Sequence, residues 1–287
     1  MKLNENTKIL IIGLGVIGGS YAKGLSSAGY SVSCITKDEC DVRYALENGL
    51  AAHATTEVSA ELIGEAELII FALYPTVFID WVEKYGSLIK AGTLVTDVTG
   101  VKSSVVSRVQ DMLPSGVEFI SAHPMAGKER SGVEYSDPAV FRGANYIVTP
   151  TEKNTPAAIA VCRRLGEILG FSRISELSPE EHDEMIAFVS QLTHCIAVTL
   201  MNCTGHRHLE RYTGDSFRDL TRIAKINDKM WCELFMMNRD ALLKEIDAFS
   251  AALDNFRNLL SEGNEDEMRA LMRESCEKRS LFDKPAN

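Results

Sequence analysis

The 287-residue sequence has few cysteines, no long apolar run and no excess of positive charge. Its seven cysteines include no CxxC pair and no regular spacing, which argues against a disulfide framework and indicates reduced thiols. A formal net charge of −10 argues against a nucleic-acid-binding face, which would have to be basic. An anionic substrate still fits if the site itself is locally basic.

The apolar runs are short. The run 68–73 falls far short of the roughly 20 residues that a membrane-spanning helix needs. The first apolar run, 9–12, is not preceded by the basic and apolar segments of a secretory signal. We therefore expect a cytoplasmic protein with no membrane, nucleic-acid or metal partner.

A glycine-rich turn directly follows the run 9–12, which is typical of a parallel strand buried on both faces. The turn has the spacing GxGxxG, and a predicted helix at 20–28 and strand at 31–35 complete a βαβ unit. In such a unit the glycines permit a tight turn, close approach to a pyrophosphate, and close packing of helix on strand. We therefore predict a nicotinamide dinucleotide site with contacts from Gly13, Gly15, Val16, Ile17 and Gly18.

The end of the second strand selects between NAD and NADP, because an acidic residue there binds the adenosine ribose whereas a 2′-phosphate requires a cation and a hydroxyl. The selecting position falls at Thr36, so the expected acid is missing and Thr36 with Lys37 favours NADP. Asp38 would serve a plain ribose if the strand ended later, which keeps NAD open. If Lys37 does not bind a 2′-phosphate, it is simply a solvated side chain.

Further apolar runs alternate with helical patterns, which predicts a mostly parallel, doubly wound Rossmann-type α/β sheet in a first domain, 1–175. The runs lie at 68–73, 93–96, 117–120 and 145–149. Ligands of such sheets bind at the carboxyl ends of the strands. Tyr74, Thr99 and His123 each follow one of these runs, so we expect them to share one crevice. His123 is predicted to lie in a loop there, with a turn-capping role as its alternative.

The second domain, 176–287, is predicted to be all-α. Ser178, Pro179 and Glu181 form a capping box with proline at the first helical position, so a long helix begins there and runs to about 202. Its apolar residues cover more than one face, which indicates burial against other helices or a second subunit. A final helix is predicted at about 231–260, followed by a mobile, charged end.

Four positions of this second domain are candidate ligand contacts. His194 lies in the apolar helix and is either a core residue or a binding residue. Asp219 and Arg222 form either an exposed ion pair or an arginine held by an acid so that it grips a carboxylate. Trp231 either walls such a pocket or belongs to the core.

Taken together, the motifs of this chain resemble those of the prephenate and arogenate dehydrogenases of tyrosine biosynthesis. The motifs are the glycine turn, HPMAGKE at 123–129, SQLTH at 190–194, and FRDLTRIA at 217–224 followed by Trp231. The resemblance implies that His123 interacts with the C4 hydroxyl of a cyclohexadiene substrate. It further implies a homodimer formed by the C-terminal helices.

The resemblance also implies the surroundings of the substrate. Glu129 would lie at the mouth of the pocket, and His194 and Arg222 would contact the polar ends of the substrate. Asp219 would support that region and Trp231 would line it.

Besides Thr36, which replaces the cofactor-selecting acid, two positions depart from the family pattern. Many relatives have a serine after Asp-x-Gly that hydrogen-bonds the catalytic histidine, where this chain has Thr99 and Gly100. Thr99 is expected to take that catalytic role. Thr99 and Tyr74 are both expected to lie beside the cofactor. Where relatives have a pair of histidines, the chain keeps His194 and has Gln191 as the other expected substrate contact.

The implied reaction is the NAD(P)-dependent oxidative decarboxylation of prephenate to 4-hydroxyphenylpyruvate. Hydride leaves C4 while His123 withdraws the hydroxyl proton and the ring carboxylate departs as CO2. Arogenate is the alternative substrate. A β-hydroxyacid or imine-reductase type of dehydrogenase and a non-catalytic nucleotide-sensing dimer are the remaining alternatives.

Overall fold

The computed structural model describes residues 3–127 and 130–282, and the chain divides into two compact units, Met1–Arg239 and Asp240–Asn287. The first unit contains the strands and most of the helices, and the second is helical. The predicted domain boundary between residues 175 and 176 falls inside the strand Arg173–Glu176 and stays a prediction.

A six-stranded parallel sheet forms the centre of the first unit, which confirms the predicted doubly wound α/β class. Its strands are β1 Ile9–Ile12, β2 Val32–Ile35, β3 His53–Thr55, β4 Leu68–Phe71, β5 Leu94–Asp97 and β6 Glu118–Phe119. Their spatial order is β3-β2-β1-β4-β5-β6, so the order reverses between β1 and β4, which is where such sheets bind ligands. All residues of β1 and β4 are buried, as expected for apolar strands covered on both faces.

Five helices connect the strands of this sheet. They are α1 Val16–Ser27, α2 Glu39–Glu47, α3 Ala60–Glu65, α4 Pro75–Tyr85 and α5 Ser103–Met112. Helix α1 begins four residues earlier than predicted, directly after the glycine turn, so its N-terminus lies at the carboxyl end of β1.

A second, three-stranded sheet corrects two predictions. It consists of β7 Ser121–Pro124, β8 Asn145–Thr149 and β9 Arg173–Glu176, with helix α6 Pro156–Leu169 between the last two strands. Strand β7 pairs antiparallel with β8, so residues 145–149 do not extend the parallel sheet. His123 lies opposite Ile147 within this ladder, and it is therefore a strand residue and not the loop residue that was predicted.

The predicted long helix after Ser178 is present, with one change of geometry. Helix α7 Pro179–Ile186 continues through a π-helical turn, Ala187–Leu192, into α8 Thr193–Asn202. The capping box is confirmed, because the Glu181 amide donates to Ser178 Oγ at 3.1 Å and the Ser178 amide donates to Glu181 Oε2 at 2.8 Å. Two shorter helices follow in this unit, α9 Asp215–Thr221 and α10 Asp228–Met237.

The stretch Pro179–Asn202 is long and apolar enough, by length and composition alone, to cross a membrane. Its N-terminal half nevertheless carries His182 and Asp183, which are buried and hydrogen-bonded to the sheet region. Several of its apolar side chains are exposed, namely Met185, Phe188, Val189 and Met201. We interpret this stretch as a helix that packs on the sheet by one face and offers an apolar face for protein contact.

The second unit consists of two helices and corrects the predicted mobile end. Helix α11 is Arg239–Glu262 and α12 is Glu265–Ser280. Gly263, at φ +70°, ends the first helix, and the Asn264 side chain accepts from the Glu267 amide to cap the second. The highly charged sequence of α12 is therefore helical, because a capping residue and an acidic first turn stabilise its start.

Candidate active site

The glycine turn between β1 and α1 has the geometry of a dinucleotide cradle. Gly13 has φ +99°, and a Cβ atom there would lie 2.5 Å from the Ala72 carbonyl oxygen. A Cβ atom at Gly18 would clash with the Gly13 carbonyl oxygen, so only glycine permits this helix to pack so closely on the turn. A Cβ atom at Gly15 would meet no protein atom within 4 Å. The open space above Gly15 is the place where a pyrophosphate would approach the backbone.

The start of helix α1 fits an anionic ligand. Gly15 is its N-cap residue and forms no side-chain cap, and the first turn, which includes Val16 and Ile17, carries no acidic residue. Amide groups and the helix dipole therefore face the open space without a competing carboxylate in that turn. The residues at this edge of the sheet fit a nicotinamide dinucleotide, as the sequence predicted.

The end of β2 is more acidic than the sequence suggested. Thr36 is buried, and its hydroxyl donates to Asp41 Oδ2 at 3.4 Å. Lys37 has an 88% exposed side chain and lies 3.7 Å from an Asp38 carboxylate oxygen. Burial and the neighbouring Asp38 raise the pKa of Asp41. Two carboxylates thus surround the position to which a 2′-phosphate was assigned.

The His123 imidazole lies at the carboxyl ends of the strands. Its Nδ1 atom forms a hydrogen bond of 2.9 Å with His182 Nε2, and among the described residues no hydrogen bond to its Nε2 is present. A Cβ atom at Gly100 would lie 3.8 Å from His123 Cε1 and 3.6 Å from the Leu234 side chain. Tyr74, half-exposed at the start of α4, accepts a hydrogen bond of 3.5 Å from Asn227, which precedes α10. Of the predicted neighbours, Gly100 after β5 therefore lies beside the histidine, whereas Tyr74 after β4 contacts the residue that precedes α10.

His182 and Asp183 connect this imidazole to the start of helix α5. His182 Nδ1 lies 2.8 Å from Asp183 Oδ1, and the backbone amides of Lys102 and Ser103 each donate to the Asp183 carboxylate at 2.8 Å. Burial acts to raise the pKa of Asp183, but the hydrogen bonds from His182 and the two amides outweigh it, so the pKa is lowered. Asp183 is thus an ionised carboxylate at the N-terminus of a helix, where it is stabilised.

The ionised Asp183 fixes the protons of both imidazoles. Burial lowers the pKa of His182, so this ring is neutral, although the hydrogen bond to Asp183 opposes the shift. A carboxylate only accepts, so His182 Nδ1 donates to it and His182 Nε2 accepts. His123 Nδ1 must then carry the proton of their shared hydrogen bond, which leaves His123 Nε2 unprotonated. Burial, together with His182 and Lys102, holds the pKa of His123 well below its ordinary value. The ring is therefore unprotonated at Nε2 at neutral pH and is able to accept a proton there.

A buried ion pair fixes β7 against β5. The Lys102 ammonium lies 3.0 Å from Asp97 Oδ2 and donates to the Ala122 carbonyl at 2.7 Å, directly before His123. Asp97 also accepts a hydrogen bond from the Ser121 hydroxyl. Burial lowers the pKa of Lys102, and the charge of Asp97 opposes this shift.

Thr99 belongs to this ion-pair cluster, which corrects its predicted role as the hydroxyl that supports His123. Its hydroxyl hydrogen-bonds to Asp97 and also lies within 3.0 Å of the Val101 carbonyl, and it accepts from Lys102 Nζ at 3.3 Å. The Thr99 hydroxyl is directed into the cluster because Asp97 and Lys102 are stronger partners than a neutral imidazole. The support for His123 is an imidazole, His182.

His194 and Trp231 are brought together by the structure. Their rings stack with centroids 3.7 Å apart and an angle of 29° between the planes. His194 Nδ1 lies 2.8 Å from the Ser190 carbonyl oxygen in the π-helical turn, so this nitrogen donates and the ring orientation is fixed. Extra turns of this kind occur frequently at functional sites.

Gln191 is a structural residue, which corrects its prediction as a substrate contact. Its side chain is 1% exposed. Its Nε2 atom donates to the Leu234 carbonyl at 3.1 Å, and its Oε1 atom accepts from Asn238 Nδ2 at 2.8 Å. Both ends of the amide are therefore used to join the π-helical turn to α10 and the residue that follows it.

The predicted pair of Asp219 and Arg222 is not formed. Both residues lie near the C-terminal end of α9. Within the described chain Asp219 makes no ion pair with Arg222, and Arg218 pairs instead with Asp215 at 2.9 Å. Arg222 starts a 3-10 turn directly after α9 and is exposed, as is Asp219. Glu129 lies outside the described residues.

Four residues of the site were not predicted from the sequence, namely Asp97, Lys102, His182 and Asp183. A signal for the last two was present, because His182 and Asp183 occupy the same helical face as the buried Pro179 and Ile186. Charged residues on a buried face require partners. The partners themselves come from strands far along the chain, and spacing alone does not reveal them.

Comparison with known proteins identifies the family. The family model for the prephenate dehydrogenase nucleotide-binding domain matches residues 21–172, and the model for the prephenate dehydrogenase dimerization domain matches 178–274. A prephenate dehydrogenase of Bacillus subtilis is 30% identical over 261 residues, which are 88% of this chain and 70% of that protein. A cyclohexadienyl dehydrogenase of Zymomonas mobilis is 30% identical over 276 residues, 93% of each chain.

Solved structures extend the similarity to the whole fold. A prephenate dehydrogenase of Aquifex aeolicus, solved with hydroxyphenyl propionate and NAD+, matches with a TM-score of 0.90 and 28% identity, over 99% of this chain and 100% of that one. A Synechocystis arogenate dehydrogenase matches with a TM-score of 0.84 and 26% identity, over 96% of this chain and 100% of that one. The family models, the curated relatives and the fold agree, and the chain belongs to the prephenate dehydrogenase family.

Proposed function

We propose that this protein is an NAD(P)-dependent prephenate dehydrogenase that converts prephenate to 4-hydroxyphenylpyruvate and CO2 in tyrosine biosynthesis. The observation that carries the proposal is the His123 imidazole, whose Nδ1 is bonded to the buried His182 at 2.9 Å. His123 lies beside Gly100, on the same edge of the fold as the glycine turn. A neutral base beside a dinucleotide cradle is what the oxidation of a hydroxyl-bearing carbon requires.

The chemistry follows from the atoms present. When bound, NAD(P)+ supplies the acceptor for the hydride that leaves C4 of the substrate. His123 Nε2 accepts the proton of the C4 hydroxyl, and the electron pair of the O–H bond stays on the oxygen. The bond between C1 and the ring carboxylate breaks, its electron pair completes the aromatic ring, and CO2 leaves. The proton then returns from His123 to the phenol oxygen, so that atoms and charge balance.

The polar ends of the substrate are assigned to the helical part of the first unit. His194, oriented by Ser190 and stacked on Trp231, offers a polar edge beside an aromatic wall. Arg222 is proposed to grip a carboxylate with its planar guanidinium, and Glu129 and Asp219 are proposed to complete the mouth of the pocket. These assignments rest on the resemblance of the motifs.

Prephenate is proposed over arogenate as the main substrate. The two differ in whether the side chain carries a keto or an amino group. Arg222 and His194, the groups assigned to the polar ends of the substrate, supply hydrogen-bond donors that suit a keto acid. The prephenate dehydrogenases among the similar proteins support the same choice.

For the cofactor, the surroundings of Thr36 support NAD over the NADP that the sequence favoured. Asp38 follows β2, and Asp41 in the first turn of α2 contacts Thr36, so both acids would repel a 2′-phosphate and accept hydrogen bonds from ribose hydroxyls. Lys37 is solvated and already lies near Asp38, so it offers little compensation.

The enzyme is proposed to act as a soluble cytoplasmic homodimer through its C-terminal helices. The dimerization-domain match covers residues 178–274. Helix α11 exposes apolar side chains at helical spacing, namely Phe249, Leu253, Phe256 and Leu260. An exposed stripe of this length on a helix is typical of a protein–protein contact.

The proposal is tested by initial rates of nicotinamide reduction with prephenate and with arogenate, each against NAD and NADP. We expect the highest kcat/KM with prephenate and NAD. Turnover of arogenate in preference to prephenate would reassign the substrate. Silence in all four assays, from folded protein that still binds a dinucleotide, would instead support a nucleotide-sensing dimer or another dehydrogenase.

A further inference from the structure

We propose that His182 and Asp183 are a positioning pair, which holds His123 in the tautomer with an unprotonated Nε2 and takes up positive charge when that nitrogen accepts a proton. The catalytic part of this inference rests on the proposed function, and the tautomer part does not. Neither residue belongs to the motifs on which the family resemblance was based.

The need for such a pair follows from the chemistry of imidazole. A neutral imidazole carries its single proton on either nitrogen, and the partner of one nitrogen decides the protonation of the other. If His123 carried its proton on Nε2, that nitrogen would donate to the substrate hydroxyl and would not accept from it. The acceptor on the Nδ1 side therefore determines whether His123 is a competent base.

The structure supplies that acceptor through a chain of three groups. His123 Nδ1 and His182 Nε2 are 2.9 Å apart, and His182 Nδ1 and Asp183 Oδ1 are 2.8 Å apart. Asp183 is held on both oxygens, by the Lys102 amide on Oδ1 and the Ser103 amide on Oδ2. His182 is 0% exposed, so water does not compete for this bond. Because the Asp183 carboxylate only accepts, His182 donates to it from Nδ1, and His123 donates from Nδ1 to His182 Nε2.

The neighbouring charges keep the pair in this state. The Lys102 ammonium disfavours a positive charge on either imidazole, and its own counterion is Asp97, in contact with the ammonium at 3.0 Å. Asp183 is the carboxylate in direct contact with His182. A proton that arrives at the imidazoles is therefore stabilised chiefly on the side of Asp183.

The proton movements balance. The O–H bond of the substrate breaks and an Nε2–H bond forms on His123. The proton on His123 Nδ1 shifts toward His182 Nε2, so the positive charge spreads toward the Asp183 carboxylate. The reverse shift returns the proton to the phenol oxygen of the product. Asp183 itself stays ionised.

The test replaces Asp183 with leucine and measures the tautomer of His123 directly. Leucine has a similar shape and offers no acceptor, so His182 Nδ1 loses the partner that holds its proton. His182 Nε2 then becomes a donor and His123 shifts to the Nε2–H form. With 15N-histidine-labelled protein and no substrate, we expect the imidazole 15N shifts to show Nδ1–H for His123 in the native protein and Nε2–H in the variant. The signal of His123 is identified by its loss in His123→Asn. Glu184→Leu, at an exposed acid on the same helix, is the matched control and leaves the tautomer unchanged.

Kinetics supply the second readout. Removal of an acid that fixes a catalytic tautomer costs on the order of 10⁴ in kcat in serine proteases, and here the acid acts through one further ring. We expect kcat to fall by about 10²–10⁴ in Asp183→Leu with KM nearly unchanged. If that variant does not fold, His182→Leu removes the acceptor and serves the same test, whereas His182→Gln restores an acceptor oxygen and retains the Nδ1–H form.

The outcomes separate the two proposals. An unchanged His123 tautomer in folded Asp183→Leu overturns the positioning pair, and so does an unchanged kcat. The expected tautomer change in the variant, found together with a native protein that does not oxidise prephenate, supports the pair and refutes the proposed function.

Discussion

His123 shows how much one residue depends on others far along the chain. Its ring is neutral because burial lowers its pKa, and His182, 59 residues away in sequence, determines which ring nitrogen is unprotonated. The backbone that carries it is fixed by Lys102, which donates to the preceding carbonyl at 2.7 Å. The position of the base is therefore a property of several strands and a helix start.

Replacement of Lys102 by methionine tests the buried ion pair. Asp97, 1% exposed, would lose the partner of its charge, and breaking such a pair costs about 3–5 kcal/mol of unfolding free energy. Lys153→Met is the matched control, because Lys153 and Asp111 lie 2.9 Å apart but have exposed side chains, where a pair is worth about 1 kcal/mol or less. Denaturant unfolding of both variants measures the difference. Equal losses would contradict the importance of the buried pair.

Among individual residues, the glycines of the turn could be located from the sequence, and His123, His194 and Trp231 could be named as candidates without their contacts. Gln191 and Thr99 could not, because residue type does not tell which partner a polar side chain takes. The Gln191 side chain hydrogen-bonds to Asn238 and to a backbone carbonyl, and the Thr99 hydroxyl hydrogen-bonds to a buried ion pair. Those partners become visible only when distant elements pack together.

Among the elements, the glycine turn and helix α1 form one unit whose residues have different tasks. Gly18 permits the packing of helix on turn, whereas Gly15 leaves space for a ligand. Periodicity predicted this βαβ unit because its residues are local in sequence. The second sheet was not predicted, since the antiparallel pairing of β7 with β8 joins segments separated by a long connection.

Two alanine variants separate these tasks. Gly18→Ala places Cβ against the Gly13 carbonyl oxygen, and we expect a loss of about 1–3 kcal/mol of unfolding free energy. Gly15→Ala meets no protein atom and its backbone is extended, so stability changes by less than about 0.5 kcal/mol. Dinucleotide binding, measured by calorimetry, should nevertheless weaken by on the order of tenfold in Gly15→Ala. Normal binding by that variant would place the pyrophosphate elsewhere.

In the molecule as a whole, buried histidines couple folding to pH. Burial lowers the pKa of His123 and His182 below 6.5, so both are neutral in the folded chain. The unfolded chain therefore binds more protons just below pH 6.5, and the unfolding free energy falls as the pH is lowered from there. Asp183, whose pKa is lowered, contributes stability that is fully present above 3.8 and is lost as the pH falls through its folded pKa.

Urea unfolding across this pH range checks the coupling. We expect the fall in stability below pH 6.5 to be shallower in His123→Asn than in the native protein. His53→Asn controls for the loss of an exposed histidine. Identical slopes in all three proteins would show that His123 titrates normally in the folded state.

Assembly is the second property of the whole molecule. We expect Leu253→Asp, which puts a charge in the apolar stripe of α11, to convert dimers to monomers in sedimentation velocity. Leu46→Asp, at a residue of similar exposure on α2, should remain dimeric. A dimer that survives Leu253→Asp would place the interface on another surface.

CO2 release and nicotinamide reduction, measured together with prephenate in the native protein and in His123→Asn, decide whether His123 is the base of an oxidative decarboxylation. We expect one CO2 for each nicotinamide reduced in the native protein, and a kcat about 10²–10⁴ lower in the variant with little change in KM. Native turnover in His123→Asn, or nicotinamide reduction without CO2, would contradict that assignment.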